Sequence, residues 1–317
     1  MRGERYKAPG GAASENRRAR EYHRAILEQI AAANEEAIEA WNGVLFDRFV
    51  KFRPIVTAGL GAHGEAAMRA HPPPTGASVL DIGCGFGDTT QRLAELVGPG
   101  GSAHGVDAAE RFIDAAREEA RETDNVSFAV ADVEVTEFGD RFDYAFSRMG
   151  TMFFANPVAA LRNVRRALSP GGRLCMVVWR RKLDNDWLHR AERVVEDYVQ
   201  EPEESDEPTC GPGPFSLADA DTTSHILLNA GFEQIELRRC DIPIQIGVDL
   251  EGAVEFVMAL GPAGEVIRLA GDEAEKLRPR IEEALREALR EFEGPSGVCA
   301  PASTWIVAAT APAEPAA

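Results

Sequence analysis

Asp81, Asp107 and Asp132 each close a short apolar run, and the first is followed at once by Gly83, Gly85 and Gly87. Carboxylates accept hydrogen bonds from hydroxyl and amino groups, and glycine lets a backbone turn sharply and approach a ligand with no Cβ in the way. Ser78, Val79, Leu80 and Ile82 read as a buried strand breaking into a tight loop. Leu93, Leu96 and Val97 then give 89–97 a helical apolar face, with Asp88 as the expected cap. Asp107 ends a second strand, 102–106, roughly twenty residues past the last loop glycine, the separation at which an acid meets ribose hydroxyls. A third strand, 126–131, leads into Asp132. Three consecutive strands tipped in this way align three carboxylates on the carboxyl edge of a parallel sheet, where open α/β folds bind ligands. The chemistry predicted is capture of a nucleotide-sized molecule.

The segments Val79-Leu80-Asp81-Ile82-Gly83-Cys84-Gly85-Phe86-Gly87, Val106-Asp107, Ala131-Asp132-Val133, Phe142-Asp143-Tyr144 and Leu168-Ser169-Pro170-Gly171-Gly172-Arg173-Leu174 resemble, in order, the motifs of class I S-adenosylmethionine-dependent methyltransferases. The resemblance covers roughly 77–179. It implies a Rossmann-like, doubly wound α/β fold with a mostly parallel seven-stranded sheet. It also implies S-adenosylmethionine as cofactor, S-adenosylhomocysteine as product, and methyl transfer to a small organic acceptor by in-line displacement. Carried over by position, Gly83, Gly85 and Gly87 pass beneath the methionine part and Asp107 holds the ribose hydroxyls. Asp132 meets the adenine amino group, Val133 lies near its ring, and Asp81 fixes the loop and the methionine amino group. Cys84, Ala108, Ser147 and Arg148 complete the expected cofactor contacts. Two other readings stand beside this one. A nicotinamide-dependent oxidoreductase would also use a glycine loop and an acid, although its usual Gly-x-Gly-x-x-Gly differs from the spacing here. A regulatory protein could bind the cofactor without transferring its methyl.

The formal charge of -18 over 317 residues disfavours nucleic acid, whose phosphates require positive surface. Arg17, Arg18, Arg20 and Arg24 make one local basic run, read as a solvated arm. The five cysteines are scattered without a Cys-x-x-Cys pair, which indicates neither a disulfide framework nor a zinc site. No apolar run approaches a membrane span and no signal-peptide segment is seen, so the expectation is a cytoplasmic protein without membrane or nucleic-acid partners.

The elements that must position these residues divide the chain into four. Residues 1–20 read as a mobile arm and 21–74 as a helical cover, with His71-Pro72-Pro73-Pro74 a stiff linker. The cofactor-binding core is 75–180, and 181–317 supplies a lid helix, the remaining core strands and a helical insertion within the same domain. A helix at 186–199 precedes an acidic loop, 201–207, expected to act as a lid. Ser216 and Asp219 start a helix that stops at Gly231, a sixth strand runs 232–246, and 304–309 is the seventh. Between the last two, helices at 250–260 and 281–292 each have an apolar face that needs a partner, which favours a lid or a homodimer interface for 249–293 over a mere buttress of the sheet. Trp41, Phe46, Met149, Met152, Phe153 and Trp187 are the candidate acceptor-pocket residues, with ordinary packing of helices onto the sheet as the alternative role for Trp41, Phe46, Met149, Met152 and Phe153. A general base would serve a phenol or alcohol acceptor, and His63 and His189, in the cover segments, are the candidates. The sequence calls for no metal.

Overall fold

The computed structural model describes residues 29, 31–32, 34–139, 141–199 and 212–313. The arginine-rich run, the expected mobile arm and the acidic loop 201–207 lie outside the described residues. Helical residues 34–40 lead into a π-helical turn, Trp41–Leu45, in which Gly43 leaves helical geometry (φ -103°, ψ -116°) and bends the path. Helices α1 (Phe46–Lys51) and α2 (Arg53–Ala70) complete the N-terminal cover. The core follows as β1 (Ser78–Ile82), α3 (Asp88–Val97), β2 (Ser102–Asp107), α4 (Glu110–Glu119), β3 (Val126–Val130), β4 (Phe142–Arg148), α5 (Pro157–Ala167) and β5 (Leu168–Trp179). Then come α6 (Asp186–Glu196), α7 (Ala220–Ala230), β6 (Glu233–Asp241), β7 (Ile244–Gly247), α8 (Leu250–Ala259), α9 (Pro262–Ala270), α10 (Asp272–Leu289), β8 (Glu293–Gly294), β9 (Gly297–Ala300) and β10 (Ser303–Thr310).

The main sheet has seven strands in the order β3-β2-β1-β4-β5-β10-β6. The first five are parallel, with Leu80 beside His104 on one flank and Ala145 on the other. β10 runs antiparallel between β5 and β6, pairing Ile306 with Val177 and with Arg238. The order reverses direction between β1 and β4, so the crevice opens at their carboxyl ends, where the glycine loop lies. Val79, Leu80 and Ile82 are buried on both faces of the sheet, as a central parallel strand requires.

Local chemistry sets the helix boundaries. Asn156 caps α5 by accepting the Ala159 N–H at 3.0 Å, with Pro157 at the first helical position. Asp219 caps α7 by accepting the Thr222 N–H, and Gly231 ends that helix in the left-handed region (φ +89°). Ser216 does not share in this cap; its hydroxyl bonds the Met152 carbonyl. α3 also departs from expectation, because its N-cap is Gly87 and Asp88 instead reaches the Arg148 guanidinium.

The expected sixth strand is divided. β6 ends at Asp241, Pro243 has no N–H with which to continue the ladder, and β7 joins a separate three-stranded sheet ordered β7-β9-β8. The insertion holds three helices rather than two: after the first, Gly261 (φ +83°) and Pro262 begin α9, in a stretch to which the sequence pattern assigned no helix. The apolar faces of α8 and α10 are spent inside the chain, with Val257, Ile281, Leu285 and Leu289 at most 1% exposed in the same core as Trp187 and Val195. The geometry therefore makes this insertion a cap on its own chain, and these faces call for no second copy. Among the described residues no helix is long and apolar enough to cross a membrane.

Candidate active site

A cavity of about 620 Å³ lies between the carboxyl edge of the main sheet, the N-terminal cover and the insertion. Its floor is the loop after β1. The N–H groups of Gly83 and Cys84 both donate to the Val106 carbonyl, at 2.8 and 3.0 Å, tying the loop to β2. Gly83 is left-handed (φ +66°), and a Cβ on it would lie 2.9 Å from the Gly150 Cα. The loops after β1 and β4 thus touch backbone to backbone through two glycines. Gly85 (φ +53°) is open by comparison, its nearest neighbour the Phe112 ring at 3.9 Å from a built Cβ. Gly87 serves packing: its missing Cβ makes room for Phe128, which would otherwise stand at 2.7 Å, and it does not line the cavity.

The three aspartates have separate roles. Asp107 lies on the cavity wall, its two oxygens accepting the Gly85 and Ala109 N–H groups, each at 3.0 Å, so one carboxylate fixes both the loop and the start of α4. Burial pushes its pKa up, and these backbone N–H groups oppose the shift. Asp132 accepts the Glu134 N–H at 2.9 Å and the Asn34 amide at 2.8 Å, which brings the N-terminal cover onto the sheet edge. Asp81 is 1% exposed, so it stands beneath the loop rather than at an open tip. The Thr90 hydroxyl donates to it at 2.6 Å. Burial raises its pKa to about 7 against the Thr90 hydrogen bond and, after it, the pull of Arg148. The Cys84 thiol is likewise held well above its ordinary range by burial, followed by the Asp107 and Asp81 charges.

Of the candidates, Trp41, Asp81, Gly83, Cys84, Gly85, Asp107, Ala108, Asp132, Val133, Arg148, Met149, Met152, Phe153 and Trp187 line the cavity together. Gly87, Ser147, Phe46, His63 and His189 do not. Ser147 is buried and donates to the Ile82 carbonyl at 2.8 Å, joining β4 to β1. Phe46 packs edge-on to Phe112 at 4.9 Å, with the Arg111 guanidinium 4.0 Å above its ring. His63 is fully buried in α2: the Ile242 carbonyl can only accept, which places the proton on Nε2 and makes Nδ1 the acceptor from the Thr304 hydroxyl at 2.9 Å. That role is structural, and burial lowers its pKa. His189, on α6, has no face on the cavity.

Several lining residues carried no readable signal. Glu134 is buried and accepts the Ala155 and Asn156 N–H groups at 2.8 and 2.7 Å. It thereby fixes the segment that follows Phe153. Asn34, Arg48, Lys182, Glu192 and Glu265 come from three regions distant in sequence. The capping side is aromatic and aliphatic, with Phe215, Phe256, Leu260 and Val266 facing it. The residues present suit a nucleoside-bearing ligand: a glycine floor with open space at Gly85, an acid on each of β2 and the loop after β3, and a volume within the roughly 300–1,000 Å³ of ligand pockets.

Comparison with known proteins agrees with this geometry. Residues 74–216 match a family model described as a methyltransferase domain. The chain is 41% identical over 114 residues to the aklanonic acid methyltransferase DauC of Streptomyces sp. (strain C5), covering 35% of this chain and 52% of that protein. It is 34% identical over 98 residues to the demethylmenaquinone methyltransferase of Staphylococcus aureus, covering 31% and 41% respectively. The chain thus spans about half or less of the length of these curated relatives. Among solved structures, the YcgJ protein of Bacillus subtilis shares the fold with a TM-score of 0.50 at 18% identity, over 80% of this chain and 97% of that one.

Proposed function

We propose that this chain, whose residues 74–216 belong to the class I S-adenosylmethionine-dependent methyltransferases, transfers the methyl group of that cofactor to a small organic acceptor. The observation that carries the reading is the convergence of Gly85, Asp107 and Asp132 on one cavity whose opposite wall is apolar and aromatic. When bound, S-adenosylmethionine supplies a methyl already activated on a sulfonium. What remains for the protein is to bind, orient and exclude water.

Asp107 holds the ribose hydroxyls while its backbone partners keep its carboxylate in place. Asp132, braced by Asn34 and Glu134, meets the adenine end. Gly83 and Gly85 carry the methionine end close to the main chain, above Asp81. Trp41 closes the side of the cavity through edge contacts with Phe153 at 4.9 Å and Phe49 at 5.4 Å. This cover is fastened from outside by Arg111, which donates to the Asn42 carbonyl at 3.0 Å and to Asp47 at 2.8 Å. The cap keeps water from the transfer step. A small-molecule acceptor and a cytoplasmic setting belong to the same reading; the apolar and aromatic wall of the cavity supports the first, and the formal charge of -18 speaks against a nucleic-acid acceptor.

Incubation with methyl-labelled S-adenosylmethionine and a panel of aromatic and aliphatic acceptors tests the transfer. Labelled product with stoichiometric S-adenosylhomocysteine is expected. Tight cofactor binding with no turnover on any acceptor would instead leave a regulatory binder.

Asp81 adds a pH signature. The folded protein keeps this carboxyl protonated up to about pH 7, whereas the unfolded chain releases the proton near 3.8. Its contribution to apo stability therefore declines as pH rises between those values. A cationic cofactor favours the ionised form, so affinity for S-adenosylmethionine should rise from pH 6 to 8 with proton release on binding. Asp81→Asn, which keeps an acceptor for Thr90, should flatten this profile. Calorimetry in two buffers of different ionisation heat reads it directly, and a flat wild-type profile would remove Asp81 from the account.

A further inference from the structure

The N-terminal cover brings a cation, Arg48, to the cavity, and the same residue borders a neighbouring groove with Glu251, Glu255 and Glu282. Two carboxylates of the cavity are already engaged. Glu192 takes the Lys182 ammonium on both oxygens, at 2.6 and 2.5 Å, and Glu265 takes the Arg268 guanidinium at 3.0 and 2.8 Å. Arg48, on α1, also lines the cavity, and no carboxylate among the described residues comes within ion-pair distance of it. Its Nη1 donates to the Ala259 carbonyl at 2.9 Å, at the C-terminal end of α8, and among the described residues no acceptor takes the Nε–Nη2 edge. That edge is the fork that matches the two oxygens of a carboxylate. Burial, then the neighbouring Arg268, hold the Arg48 pKa below the ordinary guanidinium value, with Glu265 partly opposing. A guanidinium strained in this direction gains from an anion. The same cavity is lined by flat rings, among them Trp41, Phe49, Phe215 and Phe256. Such a wall selects planar apolar molecules.

We propose that the acceptor is an aromatic carboxylate, its ring system held by this aromatic wall and its carboxylate by the Nε–Nη2 edge of Arg48. The inference rests on the transfer reading above and names the substrate class of that same cavity. Arg48 acts as a specificity residue, and the carboxylate is its anchor.

The test uses the full chain saturated with S-adenosylhomocysteine, titrated with naphthalene-2-carboxylate or with naphthalene-2-carboxamide while tryptophan fluorescence is followed. The acid should bind at least tenfold more tightly than the amide. Arg48→Met should abolish that preference and Arg48→Lys should keep part of it, while the affinity of Arg48→Met for S-adenosylhomocysteine stays within twofold of wild type. Equal binding of acid and amide, no binding of the acid, or a preference that survives in Arg48→Met would each overturn the proposal. Loss of S-adenosylhomocysteine affinity in Arg48→Met would overturn it too, by assigning the guanidinium to the cofactor. Failure of the wild-type chain to bind S-adenosylhomocysteine at all would be a separate result, directed at the methyltransferase reading.

Discussion

Replacing Asp107 by alanine is expected to weaken S-adenosylhomocysteine binding at least 100-fold. Hydrogen bonds to charged groups contribute about 1.5–3 kcal/mol each, so losing two ribose contacts costs about 3–6 kcal/mol, and 2.7 kcal/mol is already roughly a factor of 100. The same substitution leaves the Gly85 and Ala109 N–H groups without the acceptor that orients them, so the floor loosens as well. Calorimetric titration of the variant, with a thermal melt confirming that it is folded, checks the outcome. A folded Asp107→Ala protein with wild-type affinity would show that the carboxylate serves the loop alone.

Gly83→Ala should be the most damaging single methyl in the site. The left-handed conformation costs a non-glycine residue about 1–2 kcal/mol, and overpacking against a neighbour that cannot move adds about 1–3 kcal/mol. Here the neighbour is the Gly150 backbone, itself pressed against the Ile82 carbonyl, which would stand 2.8 Å from a Cβ on Gly150. The expected loss is about 2–5 kcal/mol in urea unfolding, together with a fall in cofactor affinity as the two loops separate. Gly85→Ala is the informative contrast. It carries the backbone strain but meets nothing closer than 3.9 Å, so its effect on stability should be smaller. Equal stability losses in the two variants would contradict the close approach of the loops.

These two positions also show how far the sequence could be read. The strand, glycine loop and acid of 78–107 were legible because each depends on local chemistry: an apolar run, the φ freedom of glycine, a carboxylate at a fixed interval. The parallel sheet and the acids of β2 and of the loop after β3 at its edge followed from that, whereas Trp41 was a candidate only through the family resemblance. Gly83 and Gly87 looked equivalent in sequence, yet one faces Gly150 across the site and the other faces Phe128 beneath it, a distinction created only when α3 packs on the sheet.

What escaped reading was tertiary or concealed by a continuing pattern. Apolar residues persist on both sides of Pro243, so 232–246 looked like one strand although the ladder ends at Asp241. Clean apolar spacing marked α10 only from Ile281 onward, whereas the helix starts at Asp272 and carries Pro279 within it. Arg48 and Glu265 are 217 positions apart in the chain and face one cavity only because the insertion folds back as a cap. His63 shows the reverse error: a histidine in a covering helix suggested a base, but its partners, Thr304 and Ile242, belong to the edge of the sheet core.

The central claim is that the glycine floor and its two flanking acids are built for S-adenosylmethionine rather than for another nucleotide. Parallel calorimetric titrations of the purified full chain with S-adenosylhomocysteine and with NADH address it most directly. Saturable binding of one S-adenosylhomocysteine per chain with no detectable heat from NADH is the predicted result; saturable NADH binding with no response to S-adenosylhomocysteine would contradict it.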